Sequence, residues 1–340
     1  MRERWIGLHS QTDWTAALAS IPHTFAHTWD YCAAMQASAS GAVWLYEVET
    51  DAGRVVCPLV ERSFGGAVDL VTPYGFSGFV SQDPVDGPTV STAFRRSASE
   101  RGYVSGYLVQ NPALASSIRF PPTETSQDKS VYVWDLGPPV EALYADLHAN
   151  RRRQLRDHER VASRLVTDRG RLAAFLIDSH PDFFTRRQAT STHGLTAASI
   201  SRLARLDNVH IVGVEDDGQL TAASMFGHAP SGGDYLYNVS TPAGREHSAA
   251  LVWSGALHLK SMGVPHLNLG GGLVEGDGIA DFKRRFGARR LPAPVLKQVY
   301  DGSAYVDLCR RVGVDPNDRA GYFPAYRRST PRQCSAPRQL

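Results

Sequence analysis

The chain has 340 residues, of which 42% are hydrophobic and 21% charged, with a formal net charge of +2. These are ordinary values for a folded globular protein and exclude a largely disordered chain, while the length, about twice a typical domain, predicts two domains or one duplicated unit. No apolar run is long enough to span a membrane and Met1-Arg2-Glu3-Arg4 leads into a polar stretch, so neither a membrane span nor a signal peptide is expected and the cytoplasm is the default location. Cys32, Cys57, Cys309 and Cys334 are scattered without a Cys-x-x-Cys pair, which argues against a zinc site and a disulfide framework alike.

Residues 13–38 carry Trp14, Leu18, Trp29, Ala33 and Met35 at helical spacing, with Asp13 as N-cap and Pro22 dividing two helices. Strands 43–48 and 54–60 follow, joined across Asp51-Ala52-Gly53 as a hairpin. Residues 66–80 hold Pro73-Tyr74-Gly75 and Gly78, a glycine turn around an aromatic residue. A helix over 88–101, opened by proline, leads into a strand over 103–109. Residues 111–130 are rich in Pro, Ser and Thr and read as a surface loop before a strand over 131–136.

Gly137-Pro138-Pro139 marks a boundary. The expected division is a domain over 1–137, a second over 138–326 and a flexible tail over 327–340, whose Pro, Arg and Ser/Thr content cannot repay the entropy of ordering. The second half opens with helices over 140–149 and 151–163, then a short strand near Leu165. Helices around 182–188 and 197–206 come next. Strands over 209–214 and 219–228 form a hairpin across Asp216-Asp217-Gly218, and a further strand covers 234–240.

The densest information lies in residues 251–287. Leu251, Trp253, Ala256, Leu257 and Met262 predict an amphipathic helix ending at Gly263, and a strand over 264–269 follows it. Gly270-Gly271-Gly272 then allows close approach of another group to the backbone. After the loop come Phe282-Lys283-Arg284-Arg285-Phe286-Gly287, two aromatic anchors beside three cations. Two basic clusters stand out in this half: Arg151, Arg152, Arg153 and Arg156, and Lys283, Arg284, Arg285, Arg289 and Arg290, the second with no acid inside it. Arg152 and Arg156 are four apart and share a helix face, a spacing that can hold a phosphate between two guanidinium forks.

The glycine turn followed by Phe282-Lys283-Arg284-Arg285-Phe286-Gly287 resembles the C-terminal half of the FemABX-like proteins, a branch of the GNAT acyltransferase superfamily. Pro73-Tyr74-Gly75 with Gly78 is similar to the loop that borders their acceptor site, and Arg152 to Arg156 to their basic helix. The resemblance implies an α/β fold of two GNAT-like domains in tandem, each a mixed, mostly antiparallel sheet flanked by helices. It further implies transfer of an aminoacyl group from aminoacyl-tRNA to the amine of a peptide-like acceptor, an antibiotic intermediate or a peptidoglycan precursor, with charged tRNA as co-substrate and no bound cofactor or metal. Lys283 would then steady the charge that develops as the amine attacks the ester. Tyr237 and Asn238 complete the expected catalytic set, and Tyr74, Arg152, Arg156, Asn268, Phe282 and Arg284 the expected substrate-binding set. Tyr237, Asn238 and Asn268 would face one cleft, and Lys283 would be held between Phe282 and Phe286.

Two other readings compete. A coenzyme A-dependent N-acetyltransferase shares the fold, but its pyrophosphate would sit on the helix start at Arg245-Glu246-His247-Ser248, where Ser248 replaces a glycine and Glu246 adds negative charge. A catalytically silent RNA-binding protein could use the two basic clusters. His23 and His27 are spaced four apart without the Glu of a His-Glu-x-x-His site, and no Gly-x-Ser-x-Gly elbow, Walker sequence or Gly-x-Gly-x-x-Gly occurs, so serine hydrolases, P-loop ATPases and dinucleotide enzymes are excluded.

Overall fold

Alternating apolar residues build the first antiparallel series: β1 (Arg2–Gly7) pairs with β2 (Val43–Thr50), β2 with β3 (Gly53–Phe64) and β3 with β4 (Ala67–Val71). The computed structural model describes residues 1–39, 41–114, 118–156, 161–179, 195–272, 276–318 and 321–328. Between β1 and β2 lie α1 (Gln11–Leu18) and α2 (Trp29–Met35), the latter capped by Thr28, whose hydroxyl accepts from Tyr31 N. Short β5 (Val80–Ser81) pairs with β3. Asp86 then caps α3 (Gly87–Glu100), which carries the chain to β6 (Ser105–Val109), parallel to β4.

After β7 (Thr125–Asp135), α4 (Val140–Asp146) and α5 (Ala149–Leu155) open the second half. β8 (Leu165–Val166) is followed by α6 (Arg169–Asp178) and α7 (Ala197–Leu203). β9 (Val209–Asp216) and β10 (Gln219–Ala229) form the predicted hairpin, with Asp217 and Gly218 at φ of 49° and 80°, the backbone a two-residue turn of this kind requires. Then come β11 (Gly232–Ser240), α8 (Ser248–Ser261) and β12 (His266–Asn268), with β12 parallel to β11. α9 (Gly278–Arg284), β13 (Arg289–Val299) and α10 (Gly302–Arg311) complete the elements used below.

All strands among the described residues join one 13-stranded sheet, in the order β1-β2-β3-β4-β6-β13-β7-β12-β11-β10-β9-β8, with β5 off this path. The order reads alike from both ends: an antiparallel series, one parallel pair, then a strand belonging to the other half of the sequence. β13 lies against β6 and β7 against β12, so each half lends its last strand to the other. Core side chains fill both faces. One face gathers Trp14, Phe25, Tyr31, Met225, Tyr237, Leu172 and Ile200, and the other Trp134, Phe226, Trp253, Leu259 and Phe286. α8 is buried on most of its circumference, and a Cβ at Gly255 would lie 2.3 Å from the Phe226 ring, so only glycine lets this helix lie so close to the sheet.

The mixed, mostly antiparallel α/β architecture is the one expected from the resemblance, but several local expectations need correction. The cap residue of α1 is Ser10, and Asp13 lies inside the first turn. Strands β1 and β13 and helices α6 and α10 were not foreseen, and β7 starts six residues earlier than the predicted strand over 131–136. The helix expected over 151–163 spans Ala149–Leu155, and the helix expected around 182–188 lies outside the described residues. The expected tail begins too early: Arg327 Nε donates to buried Asp69 at 2.6 Å and Arg328 pairs with Asp318, while residues 329–340 lie outside the described residues. Among the described residues no helix is long and apolar enough to cross a membrane.

Candidate functional site

Parallel strands β11 and β12 share only two residue pairs, Gly233↔Leu267 and Asp234↔Asn268. Beyond them β11 runs on to Ser240 along β10, while β12 passes into Gly270-Gly271-Gly272 and bends toward β7. Asn268 shapes that bend, since its Oδ1 accepts from Gly270 N at 2.9 Å. Tyr132 N donates to Gly270 O at 3.1 Å from the other side, and Gly270 has φ of +73°. A Cβ on Gly271 would lie 2.6 Å from Ser130 O, so the glycines are a steric requirement of this turn.

Lys283 is delivered to the same turn by α9, which Asp277 starts by accepting from Ala280 N at 2.7 Å. The lysine is 8% exposed, and its Nζ donates to Gly271 O at 2.7 Å. A Cβ at Gly270 would lie 3.2 Å from that nitrogen, which ties the glycine run to the lysine eleven residues downstream of Gly272. A buried ammonium fixed on a main-chain carbonyl is a preorganised positive charge of the kind that stabilises a developing oxyanion.

Asp234 stands beside this turn and was missed by sequence reasoning. Its Oδ1 accepts from Asn268 Nδ2 at 3.2 Å, and its Oδ2 is buried with no partner among the described residues. Burial pushes the carboxyl up to about 7, and the bond from Asn268 pulls it part of the way back. An irregularity between Met225 and Phe226 on β10 lets β11 accommodate an extra residue, Leu236, so Asp234 (opposite Gly227) and Tyr237 (opposite Met225) share one sheet face although three apart. Tyr31 of α2 belongs to this neighbourhood. Burial raises its phenol well above the ordinary range, with Tyr74, Cys32 and Asp234 adding to the effect, and its hydroxyl donates to Tyr74 O at 2.5 Å. Tyr74, 45% exposed, thereby stands at the edge of the same region. The only signal in the sequence was an acid following Gly232-Gly233 at the start of an aromatic strand.

Other predicted residues lie elsewhere. Asn238 is opposite Ser224 on the reverse face and donates to Ser224 Oγ at 2.9 Å, because neighbours along a strand must alternate and cannot both face one cleft. Phe282 and Phe286 flank a cation, but that cation is Arg151, whose guanidinium lies 4.3 and 4.4 Å from their centroids and donates to Phe282 O at 3.0 Å. Burial and the neighbouring Arg285 lower Arg151 to about 10. Arg152 Nη1 donates to Ala145 O and Leu147 O at 2.7 and 2.5 Å, closing the end of α4, whereas Arg156 is exposed at the end of α5. Arg284 is exposed and pairs with Asp281 at 2.6 Å. That acid also holds Arg285, so the second basic cluster is partly neutralised from within the same helix.

His27 is occupied by structure. Its Nδ1 accepts from Thr24 N at 3.2 Å and its Nε2 lies 3.2 Å from Gly78 O, so the proton sits on Nε2; burial, with His23 adding, lowers it to about 3. Among the described residues no group of three His, Cys, Asp or Glu is arranged for a metal ion. At the start of α8, His247 contacts Asp216 at 3.0 Å and Glu246 is exposed.

The architecture and its parted strands define a fold class before any relative is considered. No known family model matches the sequence, and no curated protein matches it. Solved structures do match in shape. The crystal structure of FemX superimposes with a TM-score of 0.66 at 11% identity, covering 91% of this chain and 99% of that one. L-PGS from Bacillus licheniformis gives 0.53 at 12% identity, covering 87% and 94%. The C-terminal DUF2156 domain of a putative lysylphosphatidylglycerol synthetase from Agrobacterium fabrum gives 0.54 at 14% identity, covering 87% and 92%. At these identities the likeness establishes a shared fold.

Proposed function

We propose that the chain is an acyltransferase that moves an aminoacyl group from charged tRNA to the amine of a peptide-like or small acceptor. The observation that carries this reading is the buried Lys283 ammonium on the Gly271 carbonyl, at the place where β11 and β12 part. The fold shared with FemX supports the same direction. In the reaction the acceptor nitrogen attacks the ester carbonyl carbon, a C–N bond forms, and the displaced electron pair becomes an oxyanion facing Lys283. Collapse breaks the C–O bond to the tRNA ribose. The nitrogen loses one proton and the ribose oxygen gains one. Because the ester is already activated, no ATP is required, and alignment of amine and ester supplies much of the acceleration.

A lysine drawn into the interior serves an RNA-binding surface poorly, which favours transfer over simple RNA binding. The test is a reaction containing a mixture of labelled aminoacyl-tRNAs and amine acceptors, scored by product mass, with acetyl-CoA in a parallel arm. Transfer of an aminoacyl mass into an amide-stable product is expected. Acetylation from acetyl-CoA with release of coenzyme A, accompanied by a micromolar dissociation constant for coenzyme A in calorimetry, would replace this reading with the acetyltransferase.

A further inference from the structure

The buried carboxyl of Asp234 has one oxygen on Asn268 and the other without a partner among the described residues, an arrangement that costs stability and requires an explanation. The bonds that continue from it supply one. Asn268 Nδ2 donates to Asp234 Oδ1 at 3.2 Å, Asn268 Oδ1 accepts from Gly270 N at 2.9 Å, and Gly271 O accepts from Lys283 Nζ at 2.7 Å. Gly270 N–H requires an acceptor and so meets the oxygen end of the Asn268 amide, which turns the donating Nδ2 end toward Asp234. The Asp234 carboxyl, when ionised, can only accept, and it takes that donor on Oδ1. Asp234 and Gly270 therefore favour the same amide orientation, Asp234 anchoring the side chain from its far end, and the turn so held presents the Gly271 carbonyl to the lysine.

We propose that Asp234 is a positioning residue for Lys283, acting through Asn268 and the Gly270-Gly271 turn. This rests on the reading of Lys283 as the residue that meets the oxyanion. The relay covers only a few covalent links. Its other flank is fixed independently, by Leu269 N on Tyr132 O at 2.8 Å and Tyr132 N on Gly270 O at 3.1 Å, which leaves the amide of Asn268 as the joint that Asp234 can adjust. Displacement of a catalytic group by an ångström can cost about a hundredfold in rate, so the joint matters to turnover without touching substrate.

The relay makes a specific prediction about exchanging its two members. Asn268→Asp alone sets two carboxylates face to face and should reduce kcat by roughly 10²-fold with little change in KM. Adding Asp234→Asn restores one donor against one acceptor, and most of the lost rate should return. Asp234→Asn alone keeps an acceptor for Asn268 and should be mild, whereas Asp234→Ala removes it and should cost about tenfold in kcat.

A second readout needs no turnover. Brief labelling of the full-length protein with an amine-acetylating reagent, quantified by peptide mass, reports the reactivity of Lys283, with Lys260 as internal reference because its Nζ rests on Leu136 O at 2.7 Å, at the end of β12 opposite Asn268. Lys283 labelling should change in Asp234→Ala and Asn268→Asp, return in the exchanged pair, and leave Lys260 constant throughout. Unchanged Lys283 reactivity in Asp234→Ala, or an equal change at both lysines, would overturn the positioning role. Altered Lys283 labelling in a protein whose wild type transfers no aminoacyl group would uphold the relay while overturning the proposed reaction.

Discussion

The two halves of the sheet make the same move and finish it differently. In each, two strands run parallel for two residue pairs: Leu70↔Gly106 and Val71↔Tyr107 in the first half, Gly233↔Leu267 and Asp234↔Asn268 in the second. Where β4 and β6 part, side chains and main chain together fill the gap. Thr72 Oγ1 accepts from Val109 N at 3.2 Å, Asn111 N donates to Ser77 O at 3.0 Å, Asn111 Nδ2 donates to Phe76 O at 2.9 Å, and Gln110 Oε1 accepts from Phe79 N at 2.9 Å. Where β11 and β12 part, the described residues supply two ionisable side chains, Asp234 and Lys283, joined through Asn268 and the glycine turn. One parting is closed by bonds between side chains and main chain, with the neutral Ser77 hydroxyl buried there and lacking a partner among the described residues. The other carries a fixed cation and a carboxyl oxygen lacking a partner among the described residues, a cost consistent with function being sited there.

Mutations should separate the two accordingly. The largest effect is expected for Lys283→Ala, which should lower kcat by about 10²-fold or more with KM for charged tRNA nearly unchanged, as for loss of an oxyanion donor; steady-state kinetics would show it, and a pure KM effect would place the lysine in ground-state binding. Gln110→Ala in the filled parting strands Phe79 N and Leu108 O, both now bonded to Gln110. Denaturant unfolding should register a loss of about 2–3 kcal/mol, with kcat per folded molecule unaltered.

The pH response sharpens the contrast. Unfolded Asp234 titrates near 3.8 and the folded carboxyl at about 7, so between these values the folded chain holds the extra proton and stability falls as pH rises. Asp234→Asn removes that slope. Its thermal midpoint should gain on the wild type from pH 4 to 7 and hold a constant lead above pH 7. His27, at the filled parting, acts with the opposite sign: its folded value of about 3 against 6.5 gives stability that is complete above pH 6.5 and lost as pH falls toward 3.

The smallest effects belong to the basic helix. Arg156→Ala should raise KM for charged tRNA a few-fold and reduce the slope of its salt dependence by about one unit, whereas Arg152→Ala, whose guanidinium closes α4, should cost about 1 kcal/mol of stability instead. Salt titrations of the two variants would tell them apart.

How much of this the sequence disclosed follows from which interactions are local. The two hairpins, β2–β3 and β9–β10, were legible because their strand residues and turn residues lie within a few positions of one another. β13 was not, because Pro292 and Pro294 contradict a central strand; a register shift between Ala293 and Val295 accommodates them, and Pro294 O accepts from Gln110 N at 2.8 Å. The glycine run and Lys283 were visible as a motif, and the 3.2 Å clearance at Gly270 explains why they occur together. Which cation Phe282 and Phe286 would hold was not legible, since Arg151 reaches them from 131 residues away in sequence. Asp234 stayed hidden for the same reason, its meaning arising only when β11 and β12 lie side by side.

The most direct test of where the chemistry occurs uses a charged-tRNA analogue with an amide in place of the ester and a photoreactive group on its aminoacyl moiety. Irradiation with the full-length protein and peptide mapping should place the crosslinks on β11 and the turn carrying Asn268 to Gly272. Crosslinks confined to residues 72–79 and 108–111, at the filled parting, would contradict the assignment of the two halves.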